Sequence, residues 1–232
     1  MPRQPLGPSQ NVEMLPPGET SELNVVIVDD HVALRRGMEL LLRRAGHHVV
    51  GTADDAEAGE ALILRRRPDV ALVDLALPGK SGAEMTRGLL AEDPELRIIL
   101  YTGAAGERQL LDALDAGAAG FALKSGDPEE LEQAILTVAS GGDYLDPRLM
   151  PLLGKDLGGR PKTLSPRERE IMGLLARGLT GEQVAERLVL SAQTVKTHIR
   201  NAMTKLEAST RVHAIAIALR EGFISPPGEA QP

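Results

Sequence analysis

The chain has 232 residues, of which 42% are hydrophobic and only 2% aromatic, and it contains no cysteine. This length suggests two modest domains with aliphatic cores. The lack of cysteine excludes disulfides, thiolate metal sites and cysteine nucleophiles, and it fits a reducing compartment, so we expect a cytoplasmic protein. No apolar run approaches the roughly 18 residues of a membrane helix, so we expect no membrane partner.

The net charge of −7 is distributed unevenly along the chain. Residues 160–224 carry a net charge of +5, whereas the remainder carries −12. An acidic part joined to a basic part suggests that only the basic part binds nucleic acid, although scattered surface charge explains these numbers equally well.

Residues 1–23 are rich in proline and lack an apolar segment, which predicts a disordered tail. Residues 24–140 alternate between apolar, β-branched segments and helical patterns, which predicts a doubly wound α/β domain with a five-stranded parallel sheet. The predicted strands cover 25–30, 47–53, 69–75, 97–103 and 120–124. Domains of this kind place their functional sites at the carboxyl ends of the strands.

Residues 141–163 contain five glycines and three prolines, which predicts a partly ordered linker. Residues 164–224 have a purely helical pattern and are expected to form a small all-α domain, followed by a disordered tail at 225–232. The predicted helices cover 166–177, 181–188, 192–206 and 209–221.

Polar residues occupy the carboxyl ends of four predicted strands. Taken singly, a helix cap, a turn residue or a solvated lysine would explain each of them. Because the ends of parallel strands meet at one edge of a sheet, these residues are nevertheless expected to converge. They are Asp29, Asp30, Asp74, Thr102 and Lys124.

This set of residues suits phosphoryl transfer. Three carboxylates repel one another and need a cation, and all-oxygen ligation suits Mg²⁺. Asp74 is then the nucleophile that forms an acyl phosphate, while Lys124 neutralises the phosphoryl oxygens and Thr102 donates its hydroxyl to the product. His31 follows the acidic pair and either approaches this edge or simply begins the next helix.

The first domain resembles the CheY-like receiver domains of two-component response regulators, in the segments VVIVDDH, ALVDLALPGKSG, IILYTGAAG and AGAAGFALKSG. The resemblance implies that a sensor histidine kinase phosphorylates Asp74. It implies Mg²⁺ ligation by Asp30, by Asp74, by Asp29 through water and by the backbone carbonyl of Ala76. It also implies that Thr102 and Phe121 are switch residues, with Phe121 turning inward, although an ordinary core position explains Phe121 equally well.

The predicted helix 192–206 has two contrasting faces. One face is an apolar stripe formed by Val195, Ile199, Ala202 and Leu206. The other is basic and hydrogen-bonding, and it consists of Lys196, Thr197, Arg200, Asn201 and Thr204. A helix with one packed face and one basic face fits the major groove of DNA, whereas an ordinary solvated face would usually include acidic residues.

The second domain resembles the LuxR-type helix-turn-helix of the NarL/FixJ regulators over residues 163–224, in the stretch LSPREREIMGLLARGLTGEQVAERLVLSAQTVKTHIRNAMTKLEASTR. The resemblance implies binding to double-stranded DNA, with base contacts from Lys196, Thr197 and Arg200. It implies phosphate contacts from Thr194, His198 and Lys205. Glu207 stands where the family usually has glycine, so it is expected either to strain a left-handed cap or to extend the helix.

The last predicted helix, 209–221, is apolar on more than one side. Four of its residues are assigned to the core of the domain: Val212, Ile215, Ala216 and Leu219. Three others have no obvious partner within the domain: Ala214, Ile217 and Ala218. We call these three residues the apolar strip of the helix. Because this helix forms the dimer interface in the family, the resemblance implies a homodimer on DNA whose subunits contact each other through the apolar strip.

Two alternative functions are weaker. An aspartate-nucleophile phosphohydrolase has a similar fold, but it typically carries a general acid two residues after the nucleophile, where this chain has Ala76. A DNA-binding regulator that works without phosphorylation is disfavoured, because all five residues expected at the edge of the sheet, from Asp29 to Lys124, are present. We therefore expect a transcription regulator that is not an enzyme, apart from accepting a phosphoryl group and slowly releasing it.

Overall fold

The computed structural model describes residues 22–103, 107–149 and 163–226, which form an α/β domain followed by a helical domain. The strands are β1 (Asn24–Val28), β2 (His48–Ala53), β3 (Val70–Asp74), β4 (Ile98–Thr102), β5 (Gly120–Leu123) and β6 (Tyr144–Leu145). The helices of the α/β domain are α1 (Val32–Arg44), α2 (Ala56–Arg66), α3 (Gly82–Glu92), α4 (Glu107–Leu114) and α5 (Pro128–Ala139). Those of the helical domain are α6 (Pro166–Ala176), α7 (Gly181–Leu188), α8 (Ala192–Leu206) and α9 (Arg211–Arg220).

The described ranges leave out most of three predicted segments. The N-terminal tail up to residue 21, the linker residues 150–162 and the C-terminal residues 227–232 lie outside them. None of the described helices has the length and apolar character that crossing a membrane requires.

The sheet is parallel throughout, in the order β2-β1-β3-β4-β5-β6. Because successive side chains of a strand point to opposite faces, each strand contributes to two cores. In β1, Val25 and Ile27 join the core beneath α1 and α5, whereas Val26 and Val28 join the core beneath α2, α3 and α4. Helices therefore cover both faces, and the functional residues are left to the edge of the sheet.

The sheet has six strands rather than the predicted five, because part of the predicted linker joins it. The Tyr144 amide donates to the Ala119 carbonyl at 3.0 Å, and the Asp146 amide donates to the Phe121 carbonyl at 2.9 Å. Burial raises the pKa of Asp146, but hydrogen bonds from the Arg148 side chain and backbone outweigh this effect and hold the pKa below its ordinary value. A strand of two residues is too short for a periodic pattern, so periodicity does not reveal it.

The helices of the second domain lie within two residues of their predicted bounds. Each begins at a hydroxyl side chain that accepts a hydrogen bond from the amide three residues later: Ser165, Thr180, Ser191 and Thr210. Helix α8 ends at Glu207, whose φ of 54° is the left-handed conformation that glycine adopts more easily. Of the two expected outcomes at this position, the structure has the left-handed cap.

The two domains contact each other through the start of α9. Val212 and Ala216 are each only 1% exposed and belong to the α/β-domain core beneath α2, α3 and α4. Next to them, Arg211 forms an ion pair with the buried Asp143, which lies just before β6. The assignment of Val212 and Ala216 to the core of the helical domain is therefore wrong, because they pack at the domain interface.

Candidate functional site

Three charged side chains meet at the carboxyl edge of the sheet. Asp29 directly follows β1, Asp74 ends β3, and Lys124 directly follows β5. The Lys124 Nζ lies 2.7 Å from Asp29 Oδ2 and 2.7 Å from Asp74 Oδ2, and both aspartates are almost completely buried. The structure thus brings these strand ends together, and the lysine compensates two carboxylates that burial alone would disfavour.

The backbone around Asp74 fixes the orientation of its carboxylate. The Asp74 Oδ1 accepts a hydrogen bond from the Ala76 amide at 3.0 Å, while Oδ2 faces Lys124. A Cβ at Gly82 would lie 2.1 Å from the Asp74 carbonyl oxygen, so only glycine fits where α3 begins. Asp74 is therefore held in place by close backbone packing before any ligand binds.

Thr102 ends β4 at the same edge of the sheet. The residue is 4% exposed, and its Oγ1 has no hydrogen-bond partner among the described residues. An unsatisfied buried hydroxyl is costly, so this hydroxyl has an unused capacity to donate a hydrogen bond. The adjacent Tyr101 is not an alternative proton source, because burial, followed by the charges of Asp29 and Asp74, raises the Tyr101 pKa to about 12.

The carboxylates also form a group that fits a divalent cation. Ligand atoms from four residues lie within 4.8 Å of one another: Asp29, Asp30, His31 and Asp74. Oxygen donors at this density suit Mg²⁺, which takes one or two carboxylates and keeps several waters. His31 both begins the next helix and approaches the acidic edge. It is the N-cap of α1, and its Nδ1 lies 2.7 Å from Asp30 Oδ1.

Phe121 lies inside the α/β domain. It is 2% exposed, belongs to the core beneath α2, α3 and α4, and is in register with Leu100 of β4. This placement agrees with the ordinary core position. An inward turn coupled to Thr102 stays a prediction.

Helix α8 presents the predicted basic face. Lys196 and Arg200 are exposed, whereas Thr194, Thr197 and His198 are half-buried. Asn201 and Thr204 of the same face are also exposed, so both charged and hydrogen-bonding side chains are accessible to base edges or phosphates.

This face of α8 lies opposite the α/β domain. Its central residues line a cleft of about 840 Å³ between the two domains. The cleft wall on the α/β side includes Arg97, Ser140 and Gly141. In this conformation the residues predicted to read bases are therefore turned towards the other domain.

Both domains match known families. Residues 25–136 match the response regulator receiver domain, and residues 162–218 match the bacterial regulatory proteins of the luxR family. The chain is 35% identical over 214 residues to the DNA-binding transcriptional activator DevR/DosR of Mycobacterium tuberculosis (strain ATCC 25618 / H37Rv), covering 89% of this chain and 99% of that protein. The chain belongs to the LuxR-type response regulators.

Solved structures of response regulators resemble this chain over part or most of its length. A two-component response regulator of the LuxR family from Aurantimonas sp. SI85-9A1 is 37% identical with a TM-score of 0.54, over 57% of this chain and 96% of that one. A structure of two RcsB dimers bound to two parallel DNAs is 27% identical with a TM-score of 0.53, over 86% of this chain and 98% of that one. In this response regulator, the α/β domain is the receiver and the helical domain is the LuxR-type DNA-binding domain.

Lys205, which is predicted to contact a DNA phosphate, also has a partner within this response regulator. The Lys205 Nζ lies 2.9 and 2.7 Å from the two carboxylate oxygens of Glu168, which is 3% exposed. Burial raises the pKa of Glu168, but hydrogen bonds from Lys205 and Ser165 outweigh it and lower the pKa below its ordinary value. Lys205 therefore ties the end of α8 to the start of α6, and its contact with a DNA phosphate stays a prediction.

Arg200→Ala and Lys205→Ala are expected to change different quantities. Arg200→Ala should weaken operator binding by about 1–3 kcal/mol, the value of a bidentate base contact, without changing stability. Lys205→Ala removes the cationic partner of the buried Glu168 and should lower the free energy of unfolding by roughly 1–3 kcal/mol. The effect is smaller than for a fully buried pair because Lys205 is 43% exposed.

Urea unfolding and titrations with operator and random DNA measure both effects. If Arg200→Ala loses specific and non-specific binding equally, Arg200 does not read a base. Unchanged stability of Lys205→Ala would contradict its role in joining α8 to α6.

The strip predicted to form the dimer interface is buried within its own domain. Ala214, Ile217 and Ala218 are 0%, 3% and 0% exposed and belong to the core of the DNA-binding domain. The premise that they lack a partner is therefore wrong. The surface that α9 offers to another body consists instead of Val212 and Ala216, which the receiver covers.

Proposed function

We propose that a sensor histidine kinase phosphorylates this response regulator on Asp74 and that phosphorylation controls its sequence-specific binding to double-stranded DNA through α8. The observation that carries the proposal is the position of Asp74. Its buried carboxylate lies at the carboxyl edge of the sheet. The Asp74 Oδ2 is 2.7 Å from the Lys124 Nζ, which also contacts Asp29. A carboxylate beside a fixed cation is well placed to attack a phosphoryl group and to stabilise the product.

The transfer step uses residues that are already in place. A carboxylate oxygen of Asp74 attacks the phosphorus of a phosphohistidine, the phosphorus–nitrogen bond breaks, and the departing imidazole keeps the electron pair and takes a proton from solvent. The Lys124 ammonium neutralises charge on the phosphoryl oxygens. The unpartnered hydroxyl of Thr102 donates to one of these oxygens.

Mg²⁺ is the proposed cofactor, and the receiver would hold it with Asp30, Asp74, the Ala76 carbonyl and, through water, Asp29. When bound, it would supply further positive charge to the phosphoryl oxygens. Ala76 lies two residues after Asp74, where a phosphohydrolase typically has its general acid, and its side chain cannot protonate a leaving group. Loss of the phosphoryl group is therefore proposed to be slow, and turnover of phosphate esters is not part of the function.

We also propose that the receiver inhibits DNA binding until Asp74 is phosphorylated. The base-reading face of α8 lines the cleft opposite the receiver, so a DNA duplex needs the domains to separate. The acidic receiver supports the closed arrangement by pairing Asp143 with Arg211 and Asp115 with His213, the latter at 2.7 Å. On the receiver side, the cleft is lined by the basic residue Arg97. The acidic residues of the receiver therefore pair with α9, and they do not cover the basic face of α8.

Two molecules are proposed to bind one operator. Separation of the domains would expose Val212 and Ala216, an apolar surface on α9 that a second copy can cover. The RcsB structure, which contains dimers on DNA, supports this assembly by similarity. The place of action is proposed to be the cytoplasm, where a bacterial regulator meets both DNA and the kinase.

The phosphoacceptor is tested by intact-mass measurement after incubation with acetyl phosphate and Mg²⁺. The wild-type chain is expected to gain one phosphate, and Asp74→Asn none, because Asp74 is the carboxylate that faces Lys124. Asp112→Asn, which changes an exposed aspartate of α4, is the matched control and should be labelled fully. Labelling of Asp74→Asn to the wild-type extent would show that the acceptor is another residue, and rapid release of free phosphate would favour a phosphohydrolase.

A further inference from the structure

We propose that the imidazole Nδ1 of His31 is an additional protein ligand at the acidic site, which gives the receiver a preference for transition-metal cations such as Co²⁺ over Mg²⁺. The proposal rests on the metal site described under the proposed function. It adds a nitrogen donor to a set of ligands that is otherwise all oxygen.

The position of His31 is set by the chain around it. Its amide donates to Asp29 Oδ1 at 2.7 Å, and its backbone stands at the N-cap of α1 with extended φ and ψ of −81° and 96°. Its side chain makes no capping hydrogen bond to the helix. The imidazole is therefore not used to start α1, and it is directed to the carboxylates instead.

The Nδ1 atom lies close to all three carboxylates. Its distances are 2.7 Å to Asp30 Oδ1, 3.3 Å to Asp29 Oδ1 and 3.9 Å to Asp74 Oδ2. In an octahedral site with bonds of 2.0–2.2 Å, adjacent ligand atoms are about 3 Å apart and opposite ones about 4.2 Å apart. The distances to Asp30 and Asp29 are close to that of adjacent ligands, and the distance to Asp74 is close to that of opposite ligands. All four ligand atoms lie within 4.8 Å of one another, so small side-chain movements would allow them to share one cation.

The exposure of these residues also suits a metal site. The side chain of Asp29 is fully buried and that of Asp74 is 1% exposed, whereas those of His31 and Asp30 are 66% and 36% exposed. Asp29 and Asp74 thus form the buried floor of the site, and Asp30 and His31 lie at its exposed opening. A cation there keeps room for water and for a phosphoryl oxygen.

A nitrogen ligand changes which cations the site prefers. Imidazole suits Co²⁺, Ni²⁺ and Zn²⁺, whereas Mg²⁺ is suited by carboxylate, carbonyl and water. Removing the imidazole should therefore weaken Co²⁺ binding much more than Mg²⁺ binding. Loss of a group that merely orients a ligand reduces metal affinity by about 10–100-fold, so loss of the ligand itself should cost at least about tenfold.

The test measures the equilibrium binding of Co²⁺ and of Mg²⁺ to the full chain. Calorimetry detects the binding of both cations, and the visible absorption of Co²⁺ reports its ligands. His31→Ala is expected to weaken Co²⁺ binding at least about tenfold, to change Mg²⁺ binding less than about threefold, and to shift the Co²⁺ spectrum as nitrogen is lost. His48→Ala is the matched control, because His48 is a histidine exposed to solvent that contacts Glu22. It should behave like the wild type for both cations.

Asp30→Asn separates failure of this proposal from failure of the metal site. Asp30→Asn could weaken the binding of both cations while His31→Ala leaves the Co²⁺ affinity and spectrum unchanged. In that case the acidic site is the metal site, and the proposed role of His31 is overturned. If Asp30→Asn and His31→Ala both bind the two cations like the wild type, the metal site itself is elsewhere. Thermal unfolding without metal checks that each variant is folded.

Discussion

Gly142→Ala is expected to tighten operator binding by the unphosphorylated chain by about 5–150-fold, the span of typical coupling energies of 1–3 kcal/mol. Gly142 lies in the receiver between α5 and β6, where the backbones of the two domains approach each other. A Cβ at this position would lie 2.5 Å from the carbonyl oxygen of Gly178 in the DNA-binding domain. A backbone atom cannot rotate away, so the added methyl group should push the domains apart and uncover α8. Its contacts with Thr137 of the receiver are longer, at 3.0 Å, and need only a smaller shift.

The same junction offers a second variant with a different mechanism. Asp143→Asn keeps the shape of the side chain but weakens the buried ion pair with Arg211. It should move DNA affinity in the same direction by a smaller factor. Gly37→Ala is the control, because a Cβ at Gly37 in α1 meets nothing within 4 Å.

The measurement is a titration of one operator, obtained by sequencing DNA that co-purifies with the protein. The samples are the unphosphorylated chain, the phosphorylated chain, the variants and the fragment 160–232. The fragment and Gly142→Ala are expected to bind about as well as the phosphorylated chain. A fragment that binds no better than the unphosphorylated chain would contradict masking and favour dimerisation driven by the receiver.

The acidic site could be predicted from the sequence because parallel strands impose its geometry. Once the strands ending near Asp29, Asp74 and Thr102 are assigned to one parallel sheet, their carboxyl ends must share an edge. The prediction needs only strand positions, which continuous β-branched runs indicate well. The contacts of Lys124 with Asp29 and Asp74 follow from this arrangement.

Other features depend on contacts that leave no local signal. The pairing of Lys205 with Glu168 joins residues 37 positions apart, and the face of α8 alone shows Lys205 as one more basic residue. The orientation of α9 is ambiguous because apolar residues occur on most sides of the helix. Only the position of the receiver decides that Val212 and Ala216 face it, while Ile217 faces the core of its own domain.

The orientation of α9 makes two neighbouring substitutions differ sharply. Ile217→Glu places a carboxylate at a position that is 3% exposed in the core of the DNA-binding domain. It should lower the free energy of unfolding of that domain by at least about 3 kcal/mol, since the loss of a buried isoleucine alone costs about 2–5 kcal/mol and a buried charge adds to this. Ala216→Glu changes a residue that the receiver covers, so it should leave the domain folded.

Ala216→Glu is therefore the variant that tests dimerisation through α9. In the fragment 160–232 it is expected to unfold at nearly the same urea concentration as the parent fragment, while Ile217→Glu unfolds at a much lower one. On the operator, Ala216→Glu should give a one-protein complex in gel shifts where the parent gives a two-protein complex, because a carboxylate on the exposed α9 face disrupts an apolar contact between copies. A normal two-protein complex with Ala216→Glu would place the dimer interface on another surface.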